Sequence, residues 1–187
     1  MLPIDVTDKA HIQHMTPYSS DFILVAIGAN LPGPDGAAAQ AICKAAAEAL
    51  RSLPGLRSCA QSRWYATSPM PVSDQPDFVN GAVRLAGTVS PAELLATLHG
   101  IEAAAGRRRS VPNAARTLDL DLIAIGDLRR TMPDPILPHP RAHLRPFVLA
   151  PLIDIAPQWV HPVLGRTAAE MLSALPSGAA GGVLRVL

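Results

Sequence analysis

Phe22-Ile23-Leu24-Val25-Ala26-Ile27-Gly28 is an unbroken apolar run stopped by a glycine, the pattern of a strand covered on both faces. Such a strand needs elements packed above and below it. From Gly36 the chain turns alanine-rich, and Ile42, Ala46, Ala49 and Leu53 recur at helical spacing until Pro54 and Gly55 stop them. Arg57 to Tyr65 reads as one strand and Phe78 to Ala86 as the next, with Val79, Val83 and Leu85 set against Phe78, Asn80 and Arg84. A second helix begins at Ser90 as N-cap, with Pro91 in its first turn and Glu93 completing a capping box. Its apolar stripe is Leu94, Leu98, Ile101 and Ala105, and Gly106 ends it. Leu118 to Ile125 then alternates Leu with Asp before becoming wholly apolar, a further strand. The order β-α-β-β-α-β predicts an α+β, ferredoxin-like core in which helices pack on an antiparallel sheet. Short helical candidates follow at Phe147 to Ile153 and Thr167 to Leu175.

The 187 residues, 49% hydrophobic and 17% charged, suit one domain with a substantial apolar core. Residues 21–175 are expected to form it, with 1–20 a flexible N-terminal extension and 176–187 a loose, low-complexity tail. A net charge of +1 calls for neither nucleic acid nor an acidic membrane as a general partner. Cys43 and Cys59 are far apart and have no neighbouring histidine cluster, which argues against a disulfide scaffold or a zinc site and fits the cytoplasm. No stretch approaches the roughly 20 apolar residues of a membrane span, and the first residues lack the basic start and apolar run of a signal peptide.

Asp119 and Asp121 stand two apart in a strand, so both carboxylates leave the same face while Leu118, Leu120 and Leu122 leave the other. Such a pair suits a hard divalent cation, Mg²⁺ being commonly held by one or two carboxylates plus substrate phosphates; the bland reading is a solvated edge strand. Four of the fourteen arginines, Arg107, Arg108, Arg109 and Arg116, fall just upstream. Guanidinium groups recognise phosphate bidentately, so the combination reads as a polyphosphate clamp, with surface salt bridges to the acids as the alternative. Gly28-Ala29-Asn30-Leu31-Pro32-Gly33 lacks the Lys-Ser/Thr ending of a P-loop and is a strand-ending turn, although the Asn30 amide could face a site. His99 and Glu102 lie three apart on one helix flank, either a polar ledge or an exposed face. Aromatics make up only 4%, yet Phe78 and Phe147 fall in polar, loop-adjacent settings. They could stack on a flat heterocycle whose edge Asn80 reads, or be core. The proline-rich segment Thr67 to Asp77 has the length of a pocket wall or lid.

Four ordered segments resemble one known family: Ala26-Ile27-Gly28-Ala29-Asn30-Leu31, Asp74-Gln75-Pro76-Asp77-Phe78-Val79-Asn80, Arg116-Thr117-Leu118-Asp119-Leu120-Asp121-Leu122 and Leu137-Pro138-His139-Pro140-Arg141 are similar to those of 6-hydroxymethyl-7,8-dihydropterin pyrophosphokinase. The resemblance covers Phe22 to Pro157 and implies a three-layer α/β/α enzyme that uses ATP as co-substrate with two Mg²⁺ ions. It implies further that Asp119 and Asp121 are the metal ligands and that Arg107 and Arg116 act with them on the phosphates. His99, Glu102, Arg109, Leu122, His139 and Arg145 would belong to the nucleotide site. Thr67, Ser68, Met70, Phe78, Asn80 and Phe147 would bind the pterin. The chain departs from the family where Asn113-Ala114-Ala115 stands in place of a frequent Trp-Gly-Pro, and where His99 and Pro140 replace the Gln and Tyr of some members.

The expected activity is therefore transfer of pyrophosphate from ATP to the pterin alcohol, giving the pterin diphosphate and AMP, by a monomer that acts on small molecules in folate biosynthesis. The competing readings are another Mg-dependent phosphotransferase and a ferredoxin-like module that binds nucleotide or RNA without turnover. The RNA reading wants aromatic and basic residues spread over the sheet face, which these strands lack.

Overall fold

The structure, a computed structural model, describes residues 18–69, 74–107, 116–176 and 185–187. Its strands are β1 (Tyr18–Ala29), β2 (Leu56–Gln61), β3 (Tyr65–Thr67), β4 (Phe78–Val89), β5 (Asp119–Ile125) and β6 (Arg185–Val186). The helices are α1 (Ala39–Arg51), α2 (Pro91–Ala104), α3 (Pro146–Ile155) and α4 (Ala168–Ser173), with a short 3-10 turn at Ala142–Leu144. The sheet runs β5-β1-β4-β3-β6, β2 also pairs with β4, and every pairing is antiparallel. This is the expected ferredoxin-like arrangement, with α1 and α2 on one face and α3 and α4 on the other.

The continuous apolar run of β1 follows from that layering. Ile23, Val25 and Ile27 pack with Ile42, Cys43, Ala46 and Leu50 of α1 and Leu94 and Leu98 of α2, while Leu24 and Ala26 meet Val148, Leu149 and Leu152 of α3. Truncating one of these fully buried side chains to Ala would cost about 2–5 kcal/mol. Ser90 caps α2 by accepting the Glu93 N–H at 3.5 Å. The fully buried stripe of α2 is Leu94, Leu98 and Glu102, with Ile101 and Ala105 packed half-buried beside it, so a carboxylate occupies a core position. On α1 the buried stripe is Ile42, Cys43, Ala46, Ala47 and Leu50, with Leu53 packed half-buried beyond its end and Ala49 outside it.

Three expectations need correction. The single strand expected from Arg57 to Tyr65 is two, broken at Ser62-Arg63-Trp64. There the Arg63 N–H turns to Asp154 of α3 at 3.1 Å, and the Trp64 indole lies over Gly81, where a Cβ would come within 2.5 Å of the ring. β1 begins at Tyr18, so the sheet takes in residues assigned to the N-terminal extension. The C-terminal segment expected to be loose contributes β6, which pairs with β3. Among the described residues no helix is long and apolar enough to cross a membrane.

Candidate active site

Strand register places the candidate side chains in rows across the face that carries α3. Asp119 of β5, Gly28 of β1 and Asn80 of β4 are direct neighbours in one row, and Asp121, Ala26 and Ala82 in the next. Two strand spacings separate the outer members of a row, roughly 10 Å. The middle strand presents only a hydrogen and a methyl there, which leaves a shallow trough between the acids and Asn80. A Cβ on Gly28 would already stand 3.4 Å from the Asn80 carbonyl oxygen. Ala26 and Ala82 lie under the α3 core, so the trough opens at the Gly28 row.

On the acid side, arginines from three separate segments converge. Arg107 meets Asp119 Oδ1 at 2.6 Å, Arg116 meets Asp119 Oδ2 at 2.7 Å, and Arg145 meets Asp121 Oδ2 at 3.1 Å. All five side chains are largely buried, none more than 30% exposed, so these pairs are less screened by solvent than surface bridges, and removing one partner would leave a charge poorly compensated. Arg107 also pairs with Glu102, whose Oε1 accepts the Leu120 N–H at 2.7 Å on the outer side of the edge strand. Burial pushes the Glu102 carboxyl up, against the opposing pull of the Leu120 N–H and Arg107. The alternatives left open for Glu102 are thus resolved: it is a buried carboxylate under Arg107, not an exposed helix face.

His139 is half-buried and accepts the Arg141 N–H at Nδ1, which directs Nε2 to Asp121 at 4.0 Å. Burial pulls its pKa down; Asp121 opposes this and the arginines reinforce it. The neutral ring therefore carries its hydrogen on Nε2.

On the other side, Asn80 donates to Thr67 Oγ1 at 2.9 Å, both residues being buried. Ser68, next along, is exposed. Phe78 is half-buried, yet among the described residues it joins neither core cluster, which disfavours the reading that it is core. Phe147 rests on the rim of the α3 core, with the Arg145 guanidinium 5.7 Å from its ring centroid. Arg145 thus touches both Asp121 and the aromatic side of the trough.

The remaining expected residues fall as follows. His99 is half-buried on α2, one turn before Glu102. Leu122 points its side chain into the α1–α2 core and is 4% exposed, so only its backbone, on the free edge of β5, can meet a ligand. Met70 and Arg109, like Arg108, lie outside the described residues.

Two positioning residues have roles that spacing alone did not reveal. Asn30, 2% exposed at the end of β1, accepts the Arg116 N–H and donates to Gln75 Oε1 at 3.1 Å, so one side chain spans the two halves of the trough. Asp154 accepts the Tyr65 hydroxyl at 2.9 Å and the Arg63 guanidinium at 2.7 Å, which fastens the start of β3 to α3. Its signal in the sequence is the lone acid in the apolar run of α3.

Among the described residues no three His, Cys, Asp or Glu side chains could enclose a metal ion. Two carboxylates on one face beside arginines fit Mg²⁺ shared with substrate phosphates, which needs no protein cage.

The model of the 7,8-dihydro-6-hydroxymethylpterin-pyrophosphokinase family matches residues 24–157. The 2-amino-4-hydroxy-6-hydroxymethyldihydropteridine pyrophosphokinase of Pseudomonas aeruginosa is 38% identical over 154 residues, covering 82% of this chain and 91% of that protein. The protein of the same name from Synechocystis sp. is 45% identical over 111 residues, which is 59% of this chain and 56% of the relative. In fold the chain is similar to wild-type Plasmodium falciparum HPPK-DHPS, with a TM-score of 0.63 at 14% identity, over 87% of this chain and 45% of that one.

Proposed function

The chain belongs to the 7,8-dihydro-6-hydroxymethylpterin-pyrophosphokinase family, and from that premise we propose that it transfers the terminal pyrophosphate of ATP to the hydroxymethyl group of the reduced pterin, releasing AMP, in folate biosynthesis. The observation that carries this reading is the row Asp119, Gly28, Asn80. It sets a phosphate-and-metal side and a heterocycle side about one small molecule apart on a single face.

The pterin lies between Phe78 and Phe147, with Asn80 at its edge held in orientation by Thr67, and Ser68 and Met70, the latter outside the described residues, are assigned to the same substrate. The triphosphate lies over Asp119 and Asp121. Asp119 and Asp121 would hold Mg²⁺, two ions in this reading, which would supply neutralisation of the charge that builds on the leaving oxygen. Three guanidinium groups face three carboxylates here. A fully ionised triphosphate with about four negative charges is balanced by two divalent ions, so the assembled site stays near neutral.

Arg107 and Arg116 exchange their carboxylate partners for phosphate oxygens and hold the β-phosphoryl in line with the pterin hydroxyl. Glu102 aims Arg107, and Arg145 with neutral His139 fixes the far end of the triphosphate. The backbone of Leu122 faces the nucleotide from the open edge of β5, with His99 assigned to the same ligand; Arg109, assigned to it too, lies outside the described residues. The hydroxyl oxygen bonds to the β-phosphorus, the bond from that phosphorus to the oxygen bridging it to the α-phosphorus breaks, and the hydroxyl proton leaves to solvent. Positioning and charge account for catalysis, since no side chain here is an evident general base.

Cys43 and Cys59 are free thiols, which suits a reducing compartment, and the protein is read as a cytoplasmic monomer. Phosphorus NMR of protein, ATP, Mg²⁺ and the pterin alcohol tests the assignment. AMP with a pterin diphosphate is expected; ADP would make the protein an ordinary kinase, and no turnover would make it a binding module.

A further inference from the structure

We infer that β6 is a clasp on the pterin side of the site and that Arg185 is a positioning residue for Phe78; the inference rests on the pterin assignment made above. β6 lies beyond residues 24–157, the part matched by the family. β3 has only three residues and leads directly into the segment that returns at Phe78, so without β6 it would be an exposed edge beside the substrate. β6 gives it a second neighbour. Tyr65 faces Val186, Ala66 faces Arg185, and the Leu187 N–H donates to the Trp64 carbonyl at 2.9 Å. Antiparallel alternation then directs the Arg185 N–H and C=O to Ala66 as well.

The Arg185 side chain reaches past the end of the ladder to Asp77, with 3.9 Å between guanidinium and carboxylate. Asp77 directly precedes Phe78, and the pleat sends successive side chains to opposite faces. Holding Asp77 on the back of the sheet therefore holds Phe78 on the front, two residues from Asn80. Arg185 and Asp77 are both well exposed, so their pair contributes little to global stability. Its effect falls on the local opening of a loop end, which governs how often the ring is in place for stacking.

The test compares Arg185→Glu, which sets two acids face to face, Arg185→Pro, which removes a ladder N–H, and the swap Arg185→Glu with Asp77→Arg. Both single variants are expected to raise KM for the pterin by roughly three- to tenfold while leaving KM for ATP and the melting temperature in place, and the swap to restore the pterin KM. An unchanged pterin KM, or an equal rise for both substrates, overturns the inference. Amide exchange separates this outcome from failure of the functional reading. If the wild type makes no AMP, faster exchange at Trp64 to Thr67 in Arg185→Pro still supports the clasp, and unaltered exchange there sinks it.

Discussion

The side-chain carbonyl of Asn30 accepts the backbone N–H of Arg116 at 2.9 Å, across 86 positions of chain. The Asn30 and Leu31 N–H groups return the contact by donating to the Arg116 carbonyl at 3.1 and 3.2 Å. The same Asn30 amide donates to Gln75 Oε1, and more weakly to the Pro76 carbonyl. A single buried residue therefore registers Arg116 against the loop that leads to Phe78.

Asn30→Ala should leave the Arg116 N–H and the Gln75 side chain without their partner, at a cost of about 1–3 kcal/mol in chemical denaturation. Both substrates should bind more weakly, because both loop ends are released. Asn30→Asp keeps the acceptor for Arg116 but loses the donor to Gln75, so it should spare ATP binding more than pterin binding. Equal losses in isothermal titration of the two ligands with Asn30→Asp would contradict this division.

Asp119 and Asp121 should behave as one device. Each single Ala substitution is expected to lower AMP formation by about a hundredfold or more, and the double variant to cost scarcely more than the worse single one. Each substitution also removes a carboxylate that faces the arginines, Asp119 from Arg107 and Arg116 or Asp121 from Arg145, so ATP binding without Mg²⁺ should hold or tighten. Near-normal turnover by both single variants at limiting Mg²⁺ would reduce the pair to a structural ion cluster.

Phe78 and Leu98 differ in the way that separates site from core. Phe78→Ala should weaken pterin binding by about 1–2 kcal/mol through lost stacking, with little change in thermal stability. Leu98 is fully buried, and Leu98→Ala should lower stability by about 2–5 kcal/mol. A large drop in melting temperature for Phe78→Ala would return that ring to the core.

His161 makes stability depend on pH. It is buried, and its Nδ1 accepts the N–H groups of Val163 at 3.3 Å and Leu164 at 3.2 Å, so the neutral ring is the one the fold requires. Burial, reinforced by the nearby His143, holds its pKa below the ordinary value of 6.5. A histidine depressed in the folded state contributes fully above the unfolded pKa, and the contribution is lost as pH falls from about 6.5 toward the lower folded value. Denaturation midpoints should therefore decline over that range. His161→Asn, which keeps an acceptor without titrating, should flatten the decline; an unchanged pH profile in that variant would acquit His161.

Periodicity was enough to show that Asp119 and Asp121 share a face, that Phe78 and Asn80 share another strand's face, and that β1 is central. These are relations within one element, and the pleat and the helical turn dictate them from the order of residues alone. That Arg107 and Arg116 stand beside Asp119 was legible too, because they lie close to it in the chain. What the sequence did not contain was which partners those residues would meet. Arg107 and Arg145 reach the acids from 12 and 24 positions away in opposite directions. Glu102 is buried rather than exposed because α2 turns its i, i+4 row of Leu94, Leu98 and Glu102 onto β5. The break between β2 and β3 depends on Asp154, the link between the two halves of the trough on Asn30, and the covering of β3 on Arg185 and Val186. Each of these joins elements distant in sequence, and their geometry is settled only when packing on both faces of the sheet locks the strand register, since a shift of one residue would turn every one of these side chains to the wrong face.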